Sequence, residues 1–168
     1  PGGFLRRVRL EDRLDAGVTG PVTVLSAGAG SGKTLVVASW ARAVAAARVR
    51  GAPRVAWFSV DRDDNEPALF WSGVTAALRA SGAVSDGNPL TGLALEQGVT
   101  AEGMQALRLG LSDLSRGSVL VLEDFHVIDN QEILESVAVL LRHGSPLHLV
   151  LITRADPMLP LHRLRISG

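Results

Sequence analysis

The stretch Ala27-Gly28-Ala29-Gly30-Ser31-Gly32-Lys33-Thr34 constrains this chain more than any other. A small residue, four free positions and then Gly-Lys-Thr make a compact turn that few folds can use. In front of it stands a short apolar run, Val22 to Ser26, and behind it an Ala-rich stretch, Lys33 to about Arg48, without Pro or Gly. A strand that ends in a glycine-rich turn and re-enters as a helix aims main-chain N–H groups and the positive helix end at one point in space. That point suits a polyanion. Gly28, Gly30 and Gly32 are expected to supply backbone conformations closed to other residues and to let phosphate approach closely. Lys33 is then expected to reach the β- and γ-phosphates of ATP, or the β-phosphate of ADP, and the Thr34 hydroxyl to ligate Mg2+. The pattern usually opens on Gly; here Ala27 opens it.

Three further apolar runs read as buried strands: Val55 to Val60, Val119 to Glu123, and Leu147 to Thr153. All four are short, rich in Val and Leu, and not alternating, as parallel strands covered on both faces should be. Helical segments separate them. Pro67 to about Ala80 places Leu69, Phe70, Val74, Ala77 and Leu78 at helical spacing, with Asn65 or Glu66 at its start and Pro67 in the first turn. Glu102 to Leu114 forms another. Asp129 with Glu132 reads as a capping box opening a helix striped by Ile133, Leu134, Val137, Leu140 and Leu141, which Gly144 closes. Ser81 to Thr100, rich in Gly, Ser, Asn and Pro, reads as a surface loop, and Pro157, Pro160 and Gly168 interrupt the pattern near the end. This alternation predicts one three-layer α/β domain over residues 1–168 with a mostly parallel sheet. The expected order of the visible strands is first, fourth, third, second, which sets the third strand's end near the glycine-rich turn.

Composition narrows the function classes. Lys plus Arg and Asp plus Glu number 17 each, a zero balance that argues against this piece gripping nucleic acid by itself. With no cysteine there is neither a disulfide framework nor a Cys-based zinc site, which fits a reducing compartment and a cytoplasmic location. No apolar run approaches the ~18 residues of a membrane span. The start, Pro1-Gly2-Gly3-Phe4, lacks an initiator Met and a signal pattern, so the chain reads as a piece of something longer.

The third apolar run ends in two acids, Glu123-Asp124. Beside a phosphate loop, a carboxylate at such a strand end holds the magnesium shell and a second can polarise water. Glu123 reads toward magnesium through water and Asp124 toward the attacking water, or the reverse. The fourth run ends in Thr153-Arg154. Arg154 there either reaches a γ-phosphate or caps a strand in solvent. His126 reads as a proton relay or, more simply, a packing histidine. Arg6, Arg7 and Arg9 read as a solvated basic tail or as flanking the base of a nucleotide.

Four blocks now resemble a known family: Leu25 to Thr34; Val55-Ala56-Trp57-Phe58-Ser59-Val60-Asp61 with Asp63-Asp64-Asn65 and Phe70-Trp71; Leu120 to His126; and Thr153-Arg154-Ala155-Asp156-Pro157 with Leu161 and Leu164-Arg165. Together they resemble the nucleotide-binding domain of STAND-class (STAND/NACHT-like) P-loop ATPases, specifically the large LuxR-type transcriptional regulators of the LAL, MalT-like group. The resemblance implies a slow regulatory ATPase. ADP holds a closed state; ATP and an inducer favour an open, self-associating one. DNA is then read through a C-terminal helix-turn-helix domain beyond this chain. It also implies that Lys33 and Thr34 serve phosphate and magnesium, Glu123 and Asp124 are the acidic pair, and Arg154 senses the nucleotide. One departure is plain: the family usually carries Asp where Glu123 stands. Competing readings are a nucleotide-binding module without useful hydrolysis and a small-molecule kinase. A transporter ATPase is disfavoured, since no Leu-Ser-Gly-Gly-Gln precedes the acidic strand.

Overall fold

The computed structural model describes residues 8–18, 20–47, 52–93, 100–114, 117–142, 146–155 and 159. In chain order the elements are α1 (Val8–Gly17), β1 (Val22–Ser26), α2 (Lys33–Ala46), β2 (Arg54–Ser59), α3 (Pro67–Ala80), α4 (Ala101–Ser112), β3 (Ser118–Glu123), α5 (Gln131–Arg142) and β4 (Leu147–Thr153). Single 3-10 turns lie at Asp63–Asn65, Pro89–Thr91 and Phe125–Val127. The four strands form one parallel sheet in the order β1-β4-β3-β2, as expected.

Burial explains the run composition. Every residue of β4 is buried, as is β3 up to Glu123, whereas β1 and β2 are only partly covered. Continuous apolar sequence therefore marks the central strands most strongly. Alternate residues feed two cores. Ala56, Leu120, Leu122, Leu149 and Leu151 pack with α3, α4 and α5, through Phe70, Leu111 and Ile133 among others. Val119, Val121, Val150 and Ile152 pack on the opposite side with Leu14 of α1 and Val36, Val37 and Trp40 of α2. This is the three-layer arrangement.

Four details depart from the sequence reading. The segment read as a basic tail includes a helix: Arg9 lies in α1, while Arg6 and Arg7 fall outside the described residues. Leu14 anchors α1, and the Trp40 indole donates to Asp15 Oδ1 at 2.7 Å, tying α1 to α2. The cap of α5 is Asn130 rather than Asp129, because Asn130 Oδ1 accepts from the Glu132 N–H at 2.9 Å. Gly144, read as its stop, lies outside the described residues, as do Pro157, Pro160 and Gly168. The cap of α4 is Thr100, whose hydroxyl oxygen accepts from Gly103 N–H at 3.0 Å.

The fourth departure is the supposed surface loop. Ala83, Asn88 and Leu90 are buried, and Leu90 is fully so. Asn88 carries the segment inward by satisfying backbone that would otherwise be stranded. Its Oδ1 accepts from Leu90 N–H at 2.8 Å and its Nδ2 donates to Gly110 O at 2.9 Å. The segment is a plug against α4, not a free loop.

Candidate functional site

β1 ends at Ser26 and α2 begins at Lys33, so the glycine-rich turn spans the C-terminal edge of the sheet. Gly30 (φ 73°) and Gly32 (φ 81°) occupy the left-handed region, where a side chain is strained. Gly28 does not, so its backbone conformation does not demand glycine, contrary to expectation. A Cβ on any of the three would meet nothing within 4 Å; bare glycines leave the concavity open. The first turn of α2 has no side-chain cap, which leaves its N–H groups for an anion.

Lys33 folds inward. Its ammonium donates to Ala27 O, to Gly28 O at 3.0 Å and to Ser31 Oγ at 3.2 Å. The charge thus sits at the mouth of its own turn, held by weak neutral acceptors that a phosphate outcompetes. Beside the turn a cavity of about 450 Å3 runs along β1, lined by Arg13 and Leu14 of α1, Thr23 and Leu25 of β1, and Lys33 and Val36 of α2.

Strand register brings the acids to the same edge. Ser59 of β2 pairs with Glu123 of β3, and Ser26 of β1 with Thr153 of β4. The Thr34 hydroxyl donates to Glu123 Oε1 at 2.6 Å. Glu123 Oε2 accepts from Ser59 Oγ at 2.8 Å and from the Trp57 indole at 3.0 Å. Burial pushes the Glu123 carboxyl up, but the hydrogen bonds from Thr34, Ser59 and Trp57 outweigh it and hold the group below its ordinary range. Glu123 is therefore an anion, and its extra methylene does not prevent contact with Thr34. With its O–H donated in a hydrogen bond to Glu123, Thr34 Oγ1 keeps lone pairs free for a cation. The pair suits Mg2+, a hard ion that takes a hydroxyl oxygen and a nearby carboxylate with retained water.

Asp124 follows in the left-handed conformation, φ 56°, the one non-glycine residue with positive φ among those described. Its Oδ1 lies 3.5 Å from Arg154 Nε, just past β4, and 3.7 Å from His126 Nδ1. That His126 nitrogen is buried without a hydrogen-bond partner. The structure thus brings together Lys33, Thr34 and Glu123 at one centre and Asp124, Arg154 and His126 beside it. The sequence reading missed Trp57 and Ser59 as partners of Glu123. Their signal was faint: two donors of the same parity at the end of a strand due to pair with the acidic one. Asp156, Pro157, Leu161, Leu164 and Arg165 lie outside the described residues.

A parallel sheet in this order, with an open glycine turn, an inward lysine and a hydroxyl–carboxylate pair between helix α2 and strand β3, defines a P-loop nucleotide-binding fold. No family model matches the chain. Its sequence is 33% identical over 180 residues to the HTH-type transcriptional regulator MalT of Serratia proteamaculans and 30% identical over 177 residues to that of Cronobacter sakazakii. Each match covers 99% of the chain and 19% of the relative. Over almost its whole length the chain is thus similar to MalT-like regulators of the LuxR type, and it spans about a fifth of the length of these relatives. Among solved structures it is similar to Drosophila ORC bound to DNA, with TM-score 0.59, 19% identity, and 93% of this chain and 40% of that one covered. It is also similar to the Aeropyrum pernix ORC1 protein in complex with DNA, with TM-score 0.52, 22% identity, and 91% and 40% covered. These two likenesses concern the fold. No helix among the described residues is long and apolar enough to cross a membrane.

Proposed function

We propose that this domain, residues 1–168, is the ATP-dependent switch of a cytoplasmic LuxR-type regulator, a slow ATPase of the STAND class. The carrying observation is the 2.6 Å bond from Thr34 to Glu123, which places a cation-ready oxygen beside an anionic carboxylate at the mouth of the phosphate turn. In this reading the backbone from Ala27 to Gly32 and the N–H groups of α2 cradle the phosphates. Lys33 exchanges its own carbonyl partners for phosphate oxygens. Thr34 and Glu123 hold Mg2+, which supplies charge neutralisation at the β- and γ-phosphates. The cavity along β1 takes the nucleoside, between Leu14 and Val36.

Asp124 polarises the attacking water and Arg154 senses the γ-phosphate. Their mutual pairing at 3.5 Å supports a resting state in which each occupies the other, so nucleotide must part them before hydrolysis. The same pairing favours the second reading, a binding module without useful turnover, if the two never separate. An inducer, self-association in the ATP state and promoter DNA bound through a C-terminal domain complete the proposal, in keeping with relatives described as HTH-type transcriptional regulators.

Calorimetry of ATP and ADP with magnesium tests the binding claim: the wild type binds and Lys33→Ala does not. Absence of binding by the wild type overturns the proposal. Single-turnover phosphate release from the full-length protein decides between the two readings; release above the buffer blank excludes the second.

A further inference from the structure

Glu123 has three rotatable bonds and stands at the end of a strand, so nothing in its own backbone fixes the carboxylate. What fixes it is the neighbouring strand. The register opposes Ser59 to Glu123 and Trp57 to Val121, and the pleat turns all four residues to the side on which α2 packs. Ser59 Oγ and Trp57 Nε1 then converge on one oxygen, Oε2, at 2.8 and 3.0 Å. The other oxygen, Oε1, takes the Thr34 hydroxyl. A carboxylate offers about four lone-pair directions. Oε2 has both of its own filled, while Oε1 has one to spare.

We propose that Trp57 and Ser59 are positioning residues: a clamp on β2 that occupies Glu123 Oε2 and so presents Oε1, together with Thr34, to the divalent cation. The inference rests on the nucleotide-and-magnesium reading above and deepens it. It also accounts for glutamate at this place. An aspartate would draw the carboxylate back by one methylene from the two β2 donors, whereas the longer side chain reaches both strand β2 and helix α2. Trp57 suits the task because an indole N–H donates and never accepts, so it can only face an acceptor such as the carboxylate oxygen of Glu123. Ser59 is solvent-exposed and its hydroxyl has water as an alternative, so its bond to Glu123 is functional geometry rather than a burial requirement.

The test uses the full-length protein and a non-hydrolysable ATP analogue, with affinity measured by calorimetry in Mg2+ and in EDTA. The ratio of the two affinities reads the metal site alone. Trp57→Phe and Ser59→Ala are each expected to shrink that ratio roughly tenfold, the usual loss when a residue behind a metal ligand is removed. Affinity in EDTA stays at the wild-type value, and Ser59→Thr, which keeps the hydroxyl, restores the ratio. An unchanged ratio in both variants overturns the clamp, and so does an equal loss with and without magnesium, which marks a merely structural role. Should Trp57→Phe fail to fold, the exposed Ser59 pair of variants decides alone. A wild type that binds no analogue in either buffer refutes the nucleotide reading itself and the clamp with it, and is thereby told apart from failure of the clamp.

Discussion

Gly110 shows how one missing side chain holds a segment in place. A Cβ there would lie 2.4 Å from Leu90 Cγ, 2.9 Å from Leu90 Cδ2 and 2.8 Å from Asn88 Oδ1. Leu90 and Asn88 are both buried, so neither can simply swing into solvent. Alanine in a helix gains about 1 kcal/mol over glycine. Overpacking a filled site costs about 1–3 kcal/mol, and this one would also disturb the Asn88 bonds. Gly110→Ala is therefore expected to destabilise the domain on balance, read as a lower urea midpoint. A rise in the midpoint would mean that the segment moves aside freely. Lys33 teaches a related point at the same scale: residue type and spacing raise the expectation of a phosphate ligand, but only the structure shows that its ammonium is held by its own turn.

Between elements, Asn65 joins the turn after β2 to the turn after β3. Its Nδ2 donates to Val127 O at 2.8 Å, and its Oδ1 accepts from Asp129 and Asn130 N–H at 2.9 and 3.1 Å. In return Asn130 Nδ2 donates to Asn65 O at 2.8 Å. The latch fixes the far side of the loop that carries Asp124 and His126. Asn65→Ala strands these partners at about 1–3 kcal/mol and frees that loop. Faster amide exchange over residues 124–130, together with a lower unfolding midpoint, is the expected result; unchanged exchange there would show that the loop is held from elsewhere. Asn65→Asp, which keeps the acceptors and loses the donor, should fall between. The sequence reading placed Asn65 only as a possible helix start. Local periodicity reveals strands and helices because the period belongs to one element. A bond between residues 65 apart, such as Asn65 to Asn130, leaves no periodic trace. For the same reason the strands and the glycine-rich turn were legible locally, and the strand order only through likeness to P-loop proteins, whereas α1, the buried plug and the donors behind Glu123 were not legible. Leu10, Leu14 and Val18 do recur at helical spacing, but three nearby arginines drew the reading toward a solvated tail.

Across the whole molecule the sheet is pinned from below as well as from the edge that carries the glycine-rich turn. His148, buried in β4, reaches across to β1, bonding Gly20 O through Nδ1 and Thr23 Oγ1 through Nε2 at 3.0 Å. Bonding to a carbonyl makes Nδ1 the protonated nitrogen of a neutral ring, so Nε2 accepts from Thr23. Burial lowers its pKa below the ordinary 6.5, and the Gly20 carbonyl opposes that only in part. An unfolded chain therefore takes up the proton first as pH falls. The stabilising contribution is whole above about pH 6.5 and is lost as pH drops through the folded value. Melting temperature should decline over that window in the wild type, and His148→Gln should flatten the decline while lowering the melting temperature at neutral pH. An equally steep decline in the variant would assign it to other groups.

The two innermost strands, β3 and β4, are sealed along their length and end side by side in Glu123 and Thr153. Such a slab behaves as an anvil, close-packed on both faces. In the proposed switch, the difference between a spent and a loaded molecule is therefore expected at the rim, in how Arg154 and Asp124 trade hands and how the turns around them resettle.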